Sequence, residues 1–548
     1  MAKSAARRQS TRFSVGGEQA EADPLLRDSF YETADYLDIS SRDDQHCFII
    51  GRTGSGKSAL IQQIEADHSG HVIRISPEDL SLPYICDSGA IRSLKERDVN
   101  LTPFFTALWK HVFLVEIIRH RYSINDARAK ANFLDALRKK ISQDPAKAAA
   151  LDYLDEFEGR FWCETDERIR QITEKFESQV KAQGGIDVPA TVKLGAETGA
   201  IQSRESHVEL VDRYQKFVNQ TQLPRLNKMM SVLDEDILQS QQNFTWIVID
   251  DLDRYWVDES LVHDLILCLF RAVVDLKRVK NLKILVALRT NLFNELDFAG
   301  RNIGQEEKFR ALTLHLGWSD HDLEGMLNER VAVGARRAGH TRLTKAADVL
   351  PRNNSSRGDP MKFMLRRTLM RPRDIISYWN KCLALTSGSP AITWQAIEGA
   401  QGSYSSDRLL ALRDEWKTTF PGLEEVIAKF AGAPPQMFPD KFLEILGEAS
   451  LLMADPEFAD RAWLRDVLAP VWDADNGNDG IEPFKGLVSI LYNVGFIGIR
   501  TASLKAIFSY DQPDLLRQPQ AYATTTKYIV HPTFWAALGI DPGHNRSA

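Results

Sequence analysis

Residues Gly51 to Ser58 read Gly-Arg-Thr-Gly-Ser-Gly-Lys-Ser, closely spaced glycines closed by a lysine and a hydroxyl. That combination suits the cradling of phosphates. Glycines let the backbone curl with its N–H groups inward, because they adopt dihedrals that other residues avoid. Lys57 would reach the β- and γ-phosphates, and the Ser58 hydroxyl would bind Mg²⁺. The candidate contacts are Gly51, Arg52, Thr53, Gly54, Ser55, Gly56, Lys57, Ser58 and Ala59. A chance match in a glycine-containing turn is the plain alternative, and the flanks speak against it. Cys47-Phe48-Ile49-Ile50 reads as a buried strand, and Ala59-Leu60-Ile61-Gln62-Gln63-Ile64 has helical apolar spacing. A loop placed between strand and helix also faces the partial positive charge of the helix N-terminus.

A second set of chemical groups closes another apolar run. Thr245 to Arg254 read Thr-Trp-Ile-Val-Ile-Asp-Asp-Leu-Asp-Arg. Trp246–Ile249 has the continuous apolar character of a central parallel strand. Acids at the C-terminal end of such a strand point into the ligand crevice of an open α/β sheet. Asp250 is placed to hold the Mg²⁺ shell, and Asp251 to orient or deprotonate an attacking water. Asp253 and Arg254 form a local ion pair or contact a neighbouring subunit. The alternative is a strand ending in a solvated acidic turn. Lys283 to Thr290 then read as another buried strand, placed between the other two, with Arg289 or Thr290 near the γ-phosphate as a sensor. A basic residue that merely closes a strand competes with that reading.

The surrounding elements follow from periodicity. Residues 1–22 read as a basic, flexible tail without the apolar core of a signal peptide. Pro24–Leu37 reads as a short helix; Tyr31 or Tyr36 is a candidate for stacking on a base, with core packing as the alternative. His71–Ile75 reads as a strand and Pro103–Arg121 as a helix. Residues 124–240 exceed what the core needs and read as a mainly helical insertion, with Phe133, Leu137 and Ile141, then Ile169, Ile172, Phe176 and Val180, then Val211, Tyr214 and Val218. Val192, Leu194 and Ala196 alternate as in a hairpin or short strand. This insertion is either a partner-docking arm or a packed subdomain. Gln305–Leu316 and Asp320–Arg330 read as helices, with Lys308 and Arg310 in a region where ATPases of related sequence place a trans-acting finger, or else as surface charges. Two basic clusters follow: Arg336, Arg337, Arg342 and Lys345, then Lys362, Arg366, Arg367, Arg371 and Arg373. Either contacts phosphates or forms a solvated face; Arg371 and Arg373 are the candidates for a second sensor on a helical lid. Beyond residue 400, helices lead to Leu487–Tyr492, a strand at Val494–Ile499 and a returning strand at Tyr528–Pro532, which suggests a winged helix.

Composition sets bounds. The 548 residues are enough for two to four domains, and a net charge of −7 argues against a globally basic nucleic-acid coat. The five cysteines Cys47, Cys86, Cys163, Cys268 and Cys382 are scattered, as reduced thiols of a cytoplasmic protein would be, not a disulfide or zinc framework. No apolar run reaches the ~20 residues a membrane span needs.

With these residues in view, the chain resembles the KAP group of P-loop NTPases, which belong to the additional-strand, catalytic-acid class with the STAND and AAA+ ATPases. The Asp-Asp-Leu-Asp-Arg string resembles that group's Walker B signature, and Met370–Asn380 its Pro-Arg-Asp lid segment. The resemblance spans roughly residues 25–123 and 244–385. Many KAP proteins carry membrane helices in an insertion, and this chain departs from them there. The resemblance implies an α/β fold: a P-loop NTPase parallel sheet with a large helical insertion, a helical lid and a C-terminal winged-helix-like domain. Its segments are 23–123 and 241–304 for the core, 124–240 for the insertion, 305–400 for the lid and 401–548 for the C-terminal domain. It further implies Mg²⁺-dependent ATP binding and hydrolysis driving a switch or assembly, with a protein partner or effector and a homo-oligomer, and a role in bacterial defence. ATP is expected over GTP, since no guanine-specific Asn-Lys-x-Asp is present. Two alternatives stand beside this: a DNA-dependent ATPase that remodels nucleic acid, and a non-hydrolysing nucleotide-gated scaffold.

Overall fold

The computed structural model describes residues 13–76, 88–122, 132, 135–139, 173–174, 178, 223–252, 259–296, 306–458, 461–473, 480–502 and 505–543. The helical insertion and its hairpin, Asp253, Arg254, Cys86 and Cys163 thus lie largely or wholly outside the described residues. The chain divides into two compact units, Ala34–Gly51 with Leu60–His315, and Met1–Thr33 with Arg52–Ala59 and Leu316–Ala548.

The first unit runs α1 (Ala34–Ser40), β1 (Phe48–Gly51), α2 (Lys57–Asp67, whose first residues Lys57–Ala59 belong to the second unit), β2 (Val72–Ile75), α3 (Gly89–Glu96), α4 (Thr102–Tyr122), α5 (Leu223–Val232), β3 (Thr245–Ile249), α6 (Glu259–Leu276), β4 (Leu282–Arg289), α7 (Thr290–Glu295), α8 (Glu306–Ala311) and β5 (Thr313–His315). Its five strands are parallel in the order β2-β3-β4-β1-β5. Strand β4 lies between the loop-bearing β1 and the acid-bearing β3, where the sequence reading placed it. Every residue of β3 is buried, which is why Trp246–Ile249 reads as an uninterrupted apolar run. Helices α4 and α6 supply much of the core. Trp109 Nε1 donates to the Leu265 carbonyl at 2.9 Å, and Phe270 stacks on Phe48 of β1 with centroids 3.7 Å apart. α4 is buried on all sides over Phe104–Val115, so it shows little amphipathic periodicity. Lys283 is buried within β4; its ammonium reaches the Ser41 carbonyl at 2.6 Å and Asp44 at 3.3 Å, so its charge is compensated.

The second unit contains α9 (Asp320–Arg337), α10 (Pro360–Leu365), α11 (Pro372–Ala384), α12 (Trp394–Trp416), α13 (Leu423–Ala428), β6 (Gln436–Met437), α14 (Pro439–Ser450), α15 (Ala462–Asp473), α16 (Lys485–Asn493), β7 (Ile497–Arg500), α17 (Pro519–Thr524) and β8 (Lys527–Val530). A capping box between Ser319 and Asp322 starts α9, and Pro372 at the first helical position starts α11. The order α13, β6, α14, α16, β7, β8, with β8 paired antiparallel between β6 and β7, is winged-helix-like, with α15 added before the third helix and α17 between β7 and β8. Its core includes Phe442 stacked on Tyr528 at 3.9 Å.

Several expectations are corrected. Within residues 13–22, expected as part of a flexible tail, Val15 is fully buried and Phe13 nearly so, while Ser14, Glu18, Gln19, Glu21 and Ala22 are exposed. Arg330 on α9 donates to the Val15 carbonyl at 2.9 Å and pairs with Asp23 at 2.7 Å. Gly334 on the same helix lets the Ser14 carbonyl approach where a Cβ would meet it at 2.1 Å. Pro24–Leu37 is not one helix but a 3₁₀ turn at Leu26–Asp28 followed by α1. The Ser29 hydroxyl donates to the Leu25 carbonyl at 2.7 Å and ends that turn. Gln305–Leu316 splits into α8 and the short strand β5, whose partner β1 lies far away in sequence. The lid's basic cluster is not a uniformly solvated face. Arg371 is buried, and Arg367 lies 3.6 Å over the Phe363 ring and donates to Gln401 at 3.0 Å. Cys47, Cys268 and Cys382 are free and buried. Among the described residues no helix is long and apolar enough to cross a membrane.

Candidate functional site

In the first unit, register places the ends of three parallel strands side by side. Gly51 lies opposite Arg289, Ile49 opposite Ala287, and Ile249 opposite Val286. Asp250 and Asp251 therefore leave β3 at the level where β4 is ending, and Arg289 and Thr290 mark the passage from β4 into α7. Asp250 is 6% exposed, and its Oδ2 has no hydrogen-bond partner. An unpartnered oxygen on a buried carboxylate fits a cation, since leaving it bare is costly. Asp251 has φ +62°, the left-handed region that non-glycine residues rarely enter. Such strain persists where the surrounding structure imposes it, often at functional positions. Tyr36 is buried and hydrogen-bonded to Asp67, as core packing requires.

Residues Arg52–Ala59 belong to the second unit. Gly54 and Gly56 have φ +80° and +100°, so these two positions require glycine. Lys57 begins α2, and its ammonium donates to the Arg52 carbonyl at 3.2 Å. The hydroxyls of Thr53 and Ser55 are buried without hydrogen-bond partners. Ser58 is partly buried one residue into the helix. A curled loop with a lysine at a helix start and unpartnered polar atoms has the donor chemistry of an anion site. Ser58 here and Asp250 in the first unit each offer a hard oxygen of the kind that Mg²⁺ takes. Among the described residues no group of three or more His, Cys, Asp or Glu could hold a metal ion.

Residues from the segments around α9 and α11 hold the loop. The Arg373 N–H donates to the Gly54 carbonyl at 3.4 Å, its Nε to the Glu18 carbonyl at 3.3 Å, and Trp318 Nε1 to the Ser55 carbonyl at 2.8 Å. A Cβ on Gly54 would lie 2.8 Å from the Arg373 Cβ. Arg371 Nη1 donates to the Thr53 carbonyl at 2.9 Å and to Glu415 at 3.2 Å, while its Nε meets Asp374 at 2.9 Å. Arg408 pairs with the same Asp374 at 2.9 Å. Burial alone would raise the Asp374 carboxyl, but Arg371 and Arg408 outweigh it and hold its pKa at about 2. Burial likewise opposes the charge on Arg371, and Asp374 with Glu415 overcomes that opposition, so its pKa rises. Met370, with φ +53°, turns the chain into this position. Asp374, Arg408 and Glu415 carried no sequence signal of their own; only the Pro-Arg-Asp string pointed toward Asp374. Lys308 and Arg310 lie on an exposed face of α8, and Tyr31 packs against Gly325 of α9.

Residues 321–413, from α9 through most of α12, match the model of a FunZ-associated C-terminal helical domain. No curated protein matches the chain. Among solved structures, the Orc1 protein of Aeropyrum pernix in complex with DNA is similar over 97% of this chain and 98% of that one, at 12% identity. Its TM-score of 0.32 is too low for that likeness to bear on fold or function.

Proposed function

We propose that the chain is a Mg²⁺-dependent P-loop ATPase that acts as a nucleotide-driven switch for a protein partner. The observation that carries this reading is the strand–loop–helix at Gly51–Ser58, with glycines at positive φ, unpartnered loop hydroxyls and Lys57 at the helix start. In this reading the loop N–H groups and Lys57 bind the triphosphate, and Ser58 and Asp250 hold the metal. A bound Mg²⁺ supplies charge neutralisation on the phosphates. Asp251 accepts the proton of the attacking water, and Arg289 and Thr290 sense the terminal phosphate. Arg371 and Arg373 tie the lid to the loop. Residues 23–123 and 241–304 form the ATPase core, 124–240 the insertion, 305–400 the lid and 401–548 the winged-helix-like domain. The resemblance to the KAP and STAND group supports a homo-oligomer, a cytoplasmic location and a role in bacterial defence.

Fluorescent ATP titration and phosphate release provide the test. Lys57→Ala should abolish nucleotide binding, while Asp251→Asn should bind ATP and fail to turn it over. Hydrolysis at the parent rate by both variants would refute the assignment. A second reading, a DNA-dependent ATPase, draws support from the winged-helix order of the C-terminal elements. It requires strongly salt-dependent DNA binding and DNA-stimulated turnover.

A further inference from the structure

Glu415, near the end of α12, is 6% exposed at its side chain and touches the phosphate-binding loop directly. Its Oε1 accepts from the Thr53 N–H at 3.2 Å. Its Oε2 lies 3.2 Å from Arg371 Nη1 and 3.9 Å from Arg52 Nη2. A loop N–H and two guanidinium groups thus converge on one carboxylate. This donor set is of the kind that phosphate recruits. Arg52 also donates to the Val494 carbonyl at 2.7 Å, in the turn between α16 and β7. Gly495 there has φ +82°, and a Cβ on it would lie 2.6 Å from Arg52 Nη1. The same carboxylate therefore joins the loop, the lid helix α11 and the winged-helix turn.

We infer that Glu415 is a resident anion that occupies donors claimed by the terminal phosphate of ATP. It thereby positions Arg371 and sets the preference between tri- and diphosphate. This inference rests on the nucleotide reading of the loop. A terminal phosphate entering the loop competes with the carboxylate for Arg371 and the Thr53 N–H. A diphosphate, lacking that group, leaves the carboxylate in place. The Arg52 contact with Val494 transmits the exchange to the winged-helix turn.

The experiment compares ATP and ADP affinity of the full chain with Mg²⁺, by calorimetry, for the parent and Glu415→Gln. Gln keeps the size of the side chain and removes the charge. A charge-assisted contact is worth roughly an order of magnitude in affinity, so the ATP:ADP preference should rise about tenfold. ATP should also raise the thermal midpoint of the variant more than that of the parent. A purely structural Glu415 would weaken both nucleotides together, and an unchanged or lowered ATP:ADP ratio overturns the inference alone. If Glu415→Gln does not fold, Glu415→Asp decides: withdrawing the carboxylate by one methylene should raise the ratio by a smaller factor, and no rise overturns the inference. A parent that binds neither nucleotide overturns the nucleotide reading and this inference with it.

Discussion

His531 should make the C-terminal part of the chain acid-sensitive well above the usual carboxylate range. The ring is fully buried after β8. Its Nδ1 accepts the Thr533 N–H at 3.1 Å, so the neutral ring carries its proton on Nε2 and donates it to the Tyr510 hydroxyl, 3.2 Å away. A second proton on Nδ1 would face that N–H directly. Burial is the main cause lowering the pKa from 6.5 to about 3, and Arg52, Arg371 and Arg367 add to it while Asp374 opposes. The unfolded chain therefore binds a proton between about pH 6.5 and pH 3 that the folded chain refuses. Stability is fully present above the unfolded value and falls as pH drops through that window, by about 1.4 kcal/mol per pH unit. From pH 7 to pH 5 the loss attributable to this one group is about 2 kcal/mol. Guanidinium unfolding followed by tryptophan fluorescence at several pH values measures it. His531→Gln keeps an acceptor for Thr533 and a donor for Tyr510 but cannot titrate, so the gap between parent and variant should narrow by that amount at pH 5. Parallel pH profiles for parent and variant would refute the reasoning.

Asp374→Asn leaves Arg371 and Arg408 buried without their shared carboxylate, and should cost roughly 3–5 kcal/mol in chemical denaturation. Replacing Arg408 as well should recover part of that loss, and strict additivity would show that the pair is uncoupled. Gly334→Ala should destabilise by about 1–3 kcal/mol despite the better helix propensity of alanine, because the Ser14 carbonyl occupies its Cβ position. Limited proteolysis should then cut the segment at residues 13–25 faster; equal cutting rates would mean that this segment is not anchored on α9.

The proposed site was partly legible because phosphate chemistry restricts residue types over a short span. Gly54, Gly56, Lys57 and Ser58 announce themselves within one loop, and β3 announces Asp250 because a strand covered on both faces must be apolar along its length. Helix α4, expected at Pro103–Arg121, was legible as a long apolar stretch and not through an amphipathic repeat, because it is buried on all sides over Phe104–Val115. What tertiary structure decided is of another kind. β5 and β6 are three and two residues long and exist as strands through pairing with β1 and β8. Residues 13–22 look solvated in composition, yet Phe13 and Val15 find an apolar seat on helices hundreds of positions away. The Arg371 cluster looked basic because its neutralising partners Asp374 and Glu415 lie on two different helices. Local patterning carries the loop chemistry and the strand interiors. The compensation of buried charge depends on which distant groups the fold brings within hydrogen-bond reach.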